Sequence, residues 1–118
     1  MAIDFYDKSG RPIAYAQDGK HIYLFSGKPV AYLSGDAIYT FSGKHIGWFQ
    51  DGWVRDKKGK CVFFTLDASG GPVKPVKKVK PVKGVKKVKP VKGVKQVKSV
   101  KAVKSLSWSG LSGKQFFA

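Results

Sequence analysis

Ile22-Tyr23-Leu24-Phe25-Ser26-Gly27-Lys28 returns sixteen positions later as Ile38-Tyr39-Thr40-Phe41-Ser42-Gly43-Lys44. The repeat extends in both directions. A Gly-basic pair recurs at spacings of 17, 16 and 16, as Gly10-Arg11, Gly27-Lys28, Gly43-Lys44 and Gly59-Lys60. Two positions after each basic residue stands a β-branched one: Ile13, Val30, Ile46 and Val62. A small residue follows in three copies (Ala14, Ala31, Gly47, with Phe63 in the fourth), and then an aromatic: Tyr15, Tyr32, Trp48, Phe64.

A second turn type alternates with the first. Gln17-Asp18-Gly19 and Gln50-Asp51-Gly52 match each other, and Ser34-Gly35-Asp36 fills the same slot between them. Gly supplies the positive φ that tight hairpin turns need, so Asp-Gly and Ser-Gly between Tyr-, Phe-, Val- and Ile-rich runs read as hairpins. The apolar residues alternate with period two, against helix. The spacing predicts eight strands near 3–7, 11–16, 21–25, 28–33, 37–41, 44–49, 53–56 and 60–65. Alternation in the second copy places Tyr23, Phe25, Val30 and Tyr32 on one face, and Ile22, Leu24, Pro29 and Ala31 on the other. The fold class is therefore all-β: a four-fold pseudosymmetric antiparallel hairpin meander. Closure into a shallow barrel removes exposed edges; an open, propeller-like arrangement satisfies the same repeats.

The chain divides into a four-hairpin domain (1–67), a linker (68–71), a triplet segment (72–104) and a C-terminal segment (105–118). From Pro72 to Lys104 there are eleven successive x-Val-Lys triplets, with a superimposed nine-residue period starting at Pro72, Pro81, Pro90 and Ser99. Period three forms no stripe on an α-helix. In polyproline II, with about 3 residues per turn, Val, Lys and x each line one edge. The composition fits a solvated basic arm. The strict valine spacing fits a layer of one nonad per hairpin, with valines packed on the ring. Leu106, Trp108, Phe116 and Phe117 make the last segment apolar again, a strand or plug returning to the hairpins.

Charge follows this division. The net charge is +16, yet all seven acidic residues lie in the first 67 positions, where the balance is only +2. A basic block of this kind is an electrostatic footprint for an anionic partner. Cys61 is the only cysteine, which fits a reducing compartment. No basic-then-apolar leader precedes Asp4, and no apolar run approaches membrane-spanning length. The expected location is cytoplasmic and membrane-peripheral.

Four Gly-basic hairpins trailing Val30-Ala31-Tyr32 or Ile46-Gly47-Trp48, then Lys/Val/Pro triplets, then Ser107-Trp108-Ser109 and Phe116-Phe117, resemble the bacterial four-fold β-flower proteins. The resemblance implies a shallow symmetric antiparallel barrel with an apolar channel, and a lean toward lipid or membrane surfaces. It brings no catalytic residues.

Candidate site residues follow from the repeats. Arg11, Lys28, Lys44 and Lys60 form a basic rim, either as soluble turn residues or as a four-fold anion site. Lys74, Lys77, Lys80, Lys83, Lys86, Lys89, Lys92, Lys95, Lys98, Lys101 and Lys104 form the basic segment. Tyr15, Tyr32, Trp48 and Phe64 are core aromatics or channel-lining ones. Asp18, Asp36 and Asp51 cap their own turns. His21 and His45 read as turn or surface residues, because one cysteine and no clustered carboxylates give no metal-ligand spacing. No triad, paired carboxylates or P-loop is present, so no enzyme and no cofactor is expected. The favoured partner is an anionic membrane surface. Alternatives are sequence-independent nucleic-acid binding, for which the segment lacks stacking aromatics, and a purely structural role with lysines as a solubilising edge.

Overall fold

The computed structural model describes residues 2–118. Eight strands pair in chain order and close: β1 (Ile3–Tyr6), β2 (Pro12–Ala16), β3 (His21–Leu24), β4 (Pro29–Ser34), β5 (Ala37–Thr40), β6 (His45–Gln50), β7 (Trp53–Asp56) and β8 (Cys61–Phe64). All neighbours are antiparallel. The seam between β1 and β8 rests on one pair, Tyr6 with Phe64. One turn of helix, α1 (Gly113–Phe116), lies near the chain end.

The Gly-basic turns work alike. Their glycines have φ of 82°, 100°, 99° and 83° at Gly10, Gly27, Gly43 and Gly59, a region closed to most side chains. In the first and fourth turns an aspartate ties the loop. Asp7 Oδ1 accepts from the Ser9 and Arg11 amides, and Asp56 Oδ1 from the Lys58 and Lys60 amides.

Each of these hairpins carries the same bulge. Tyr6 pairs with Pro12 and Phe5 with Ala14, so Ile13 is the extra residue. Val30, Ile46 and Val62 occupy the equivalent place. A bulge re-aims a side chain, and here it turns the β-branched residue toward the interior. Val30 therefore packs with the inner core that contains Ala31, not with Tyr23 and Tyr32 as simple alternation predicts.

The inner face is made of Phe5, Ala14, Ala16, Ile22, Ala31, Leu33, Ile38, Val54 and Phe63, all buried. Phe116 joins them from α1 and packs edge-on against Phe63 at 5.9 Å. The small residue of the third copy makes room for it: a Cβ on Gly47 would stand 3.0 Å from the Phe116 ring. The C-terminal segment is thus a helical plug. It is preceded by a parallel bridge from Trp108 to Cys61 that covers β8 next to the weak seam.

Residues 72–104 are an extended belt around the barrel. Its amides bond the Gly-basic turns at nine-residue intervals: Lys78, Lys87 and Gln96 donate to the carbonyls of Gly10, Gly27 and Gly43, at 2.8, 3.0 and 2.8 Å. Ser105 donates to Gly59 at 3.1 Å. A nonad in polyproline II runs about 28 Å, so four nonads encircle a ring about 36 Å across. The Cα extents are 35 × 35 × 24 Å. The nine-residue period is thus a quarter of the circumference.

The belt's faces differ from the valine-inward expectation. The inner edge is the first triplet position, where Gly84 and Gly93 approach the Ser26 and Ser42 backbones. All eleven valines point outward and are 89–95% exposed. The turn glycines leave no space for an inward valine, since a Cβ on Gly27 would already lie 2.0 Å from the Val85 carbonyl oxygen.

Candidate anion-binding mouth

Tyr15, Tyr32, Trp48 and Phe64 lie on the outer face of the barrel, opposite the inner alanines, and do not line the channel. The belt covers the first three, while Phe64 packs against Tyr6, Trp53 and Trp108. Lys83 sits over the Tyr15 ring at 4.4 Å, Lys92 over Tyr32 at 4.6 Å and Lys101 over Trp48 at 5.0 Å. A second row of lysines covers the aromatics of the preceding strands: Lys77 over Tyr6, Lys86 over Tyr23 and Lys95 over Tyr39. Contacts of this kind are favourable, because the ring face is electron-rich. In the fourth copy the Tyr slot holds Arg55, buried to 1% exposure, whose Nη1 donates to the Gly59 and Ser105 carbonyls. The lysine due there, Lys104, has no ring to cover and pairs with Asp51 at 2.7 Å.

Several of these lysines also bond downward to the Asp-Gly end: Lys101 pairs with Asp36, and Lys86 and Lys95 bond Gln17 and Ser34. Lys80 likewise pairs with Asp4 at 3.0 Å. The Lys101 and Lys104 ammonium groups hold the Asp36 and Asp51 carboxyls below their ordinary range. Lys74 donates to the Ala68 carbonyl, while Lys89 and Lys98 have no side-chain partner among the described residues. Asp18 caps its turn through the Lys20 and His21 amides. Its partial desolvation is outweighed by those bonds and by His21, and its carboxyl titrates well below the usual range.

The four Gly-basic turns stand around the other mouth, with the plug in its centre. Three clefts separate the plug from the turns. One of about 560 Å³ lies among Lys44, Lys57, Lys58 and Lys60. One of about 280 Å³ lies beside Lys8 and Arg11. One of about 580 Å³ lies beside Lys28 and Lys114. Of the expected rim, Arg11 is paired with Asp7 at 3.1 Å, whereas Lys28, Lys44 and Lys60 have no ion pair among the described residues. Sequence reasoning had passed over Lys57, Lys58 and Lys114, which the turn geometry and the plug bring to the same mouth. The two carboxylates here are engaged by their own turns, and Asp56 Oδ2 also accepts from Ser109 Oγ at 2.7 Å. The barrel is therefore electrically polar, basic around the plug and aspartate-rich at the opposite end.

His45 is buried, contrary to the surface reading, because the belt covers it. Its Nε2 donates to the Gly47 carbonyl at 2.9 Å, and its Nδ1 accepts from the Ser99 amide at 3.2 Å. Its own amide donates to Gln96 Oε1 at 3.0 Å. Both ring nitrogens are committed to the neutral form. Burial, aided by Lys57 and Lys98, lowers its pKa below the usual 6.5. A depressed histidine stabilises the fold fully above the unfolded pKa, and that stability is lost as pH falls below it. Stability should therefore decline as pH drops from about 6.5 toward the folded value. Thermal melts of the wild type and His45→Gln between pH 5 and 7.5 check this. Equal slopes in both proteins would remove His45 from the account.

No group of histidine, cysteine and carboxylate side chains suited to a metal ion occurs among the described residues. No helix among them is long and apolar enough to cross a membrane. No curated protein and no solved structure matches the chain. The model of one family, the 4-fold beta flower protein, matches residues 3–117. Four bulged hairpins closed into one barrel, with the belt and plug inside the matched span, agree with it: the chain belongs to the four-fold β-flower family.

Proposed function

We propose that this protein is a non-enzymatic module that binds anionic membrane surfaces through its plugged, basic mouth. The observation that carries this reading is the segregation of charge around an apolar centre. Lys8, Lys28, Lys44, Lys57, Lys58, Lys60 and Lys114 surround a plug that presents Leu111, 39% exposed, and the partly buried Phe117. Basic groups around exposed apolar side chains suit the lipid interface, where each lysine near an anionic leaflet contributes about 1 kcal/mol. This moves the weight from the triplet segment to the rim. Most triplet lysines already lie on aromatics or aspartates of their own chain, and the belt's outward valines add apolar surface beside them. Nucleic-acid binding is less favoured, because Trp48 and Trp53 are buried, Trp108 is partly buried and the belt offers no stacking platform.

Co-sedimentation with phosphatidylglycerol-containing and pure phosphatidylcholine vesicles tests the proposal. Binding is expected only to the anionic vesicles and should weaken with salt. Lys28→Glu/Lys44→Glu/Lys60→Glu should reduce it by more than about tenfold. No binding to anionic vesicles at low ionic strength sinks the reading.

A further inference from the structure

The four-fold pattern breaks electrostatically at the first and fourth turns, where Lys8-Ser9 and Lys57-Lys58 fill the aromatic-serine slot, and only the fourth carries two lysines there. Lys57-Lys58 stand where the second and third turns have Phe25-Ser26 and Phe41-Ser42. Phe25 and Phe41 lie under the belt against Tyr15 and Tyr32, at 5.2 and 5.6 Å. At the fourth turn two lysines replace that aromatic anchor. The belt changes there too: Ser107 occupies the place of Lys80, Lys89 and Lys98. Cationic charge has moved from the belt to the mouth at one quarter of the ring.

This fourth turn borders the cleft of about 560 Å³ between the third and fourth turns. Lys44 stands on one wall and Lys57, Lys58 and Lys60 on the other. None of their ammonium groups has an acceptor or ion-pair partner among the described residues. The nearby carboxylate of Asp56 is occupied by Ser109 and by two turn amides. The floor is apolar, formed by Ile46, Leu111 and Phe116. The cleft beside the second turn has a similar volume and apolar floor, but only Lys28 and Lys114.

We propose that the cleft between the third and fourth turns binds a single amphiphile bearing a phosphomonoester. The phosphate sits among the four ammonium groups, and the first part of an acyl chain lies on the apolar floor. A phosphomonoester carries nearly two negative charges at neutral pH, which matches a cluster of unpaired lysines acting as point charges. The volume lies in the range of ligand pockets and accommodates a headgroup with the start of a chain. The inference rests on the surface-binding reading and deepens it, since it assigns one chemical class of ligand to the same mouth.

Titration of the full chain with dihexanoyl phosphatidic acid, followed by calorimetry and amide NMR, tests it. Saturable one-to-one binding is expected, with shifts centred on Gly59, Leu111 and Phe116. Lys57→Phe/Lys58→Ser, which installs the residues of the second and third turns, should weaken it at least about tenfold. Lys44→Gln, from the opposite wall, should weaken it as well. Dihexanoyl phosphatidylcholine should not compete. Inorganic phosphate should bind at least about tenfold less tightly, for want of the apolar contact. Unchanged binding in both variants, or phosphate binding as tightly as the lipid, overturns the proposal. Its failure is distinguishable from that of the surface reading. A protein that sediments with anionic vesicles but shows no saturable short-chain binding keeps the surface and loses the cleft. The reverse pattern keeps the cleft alone.

Discussion

Phe116→Ala is expected to destabilise the protein by about 3–5 kcal/mol, the range for removing a buried aromatic ring. Phe116 is 2% exposed, meets the Phe63 and Phe117 rings edge-on, and fills the space that Gly47 leaves open. The plug also compensates a local weakness, because β1 and β8 share only one residue pair at the seam. A loss of this size is a large fraction of a small domain's stability. Each kcal/mol lowers the melting temperature of such a domain by about 4–8 °C, so the shift should be large in a thermal melt followed by near-ultraviolet circular dichroism. A shift of only about 2 °C would mean that the plug is not part of the core. The capping box supports the same element: Ser112 Oγ accepts from the Gln115 amide, and Gln115 Oε1 accepts from the Ser112 amide. Loss of that cap alone should be much milder, at about 1 kcal/mol.

The second large effect is expected from Gly27→Ala/Gly43→Ala, read as release of the belt. Both glycines have φ near +100°, where an L-residue is strained by about 1–2 kcal/mol. An added Cβ would also stand 2.0 Å from the carbonyl oxygens of Val85 and Val94. The belt would have to leave, and with it the bonds from the Lys87 and Gln96 amides to those turns. The lysine covers over Tyr15 and Tyr32 would go as well. Trypsin should then cut between Lys83 and Lys98 at least about tenfold faster than in the wild type, because cleavage follows the population of the open segment. Gly35→Ala is the control. Gly35 also has positive φ, 61°, but a Cβ there meets nothing within 4 Å. If the double variant is cut no faster than Gly35→Ala, the glycine contacts do not hold the belt.

The repeat made the architecture legible. Gly-basic and Asp-Gly turns at alternating positions set eight strands within a residue or so of where they lie, since turn chemistry and period-two patterning act over a few residues. The nine-residue period also pointed to one nonad per hairpin. The valine orientation was not legible. Both edges of a polyproline-like strand look equivalent until the turn glycines bring the two backbones into contact and exclude any inward side chain. Alternation likewise failed at Val30, because a bulge adds a residue without any mark in the hydrophobic pattern. The helix in the plug did leave a mark, in the Ser112–Gln115 spacing, which the aromatic content of the segment obscured.

The basic rim shows the same division. Arg11, Lys28, Lys44 and Lys60 follow from the Gly-basic repeat alone. Lys57 and Lys58 join them through the geometry of the fourth turn, and Lys114 because the plug enters that mouth. Tyr15, Tyr32 and Trp48 are at equivalent places in the sequence, but it took the belt to make them an inner layer. By itself the sequence determined the number of hairpins, their turns and the segregation of charge along the chain, all consequences of local chemistry. Only the tertiary structure decided which face each side chain meets. That depends on closure of the barrel and on contacts between residues about fifty to eighty positions apart, where backbone sterics and charge partners override the pattern.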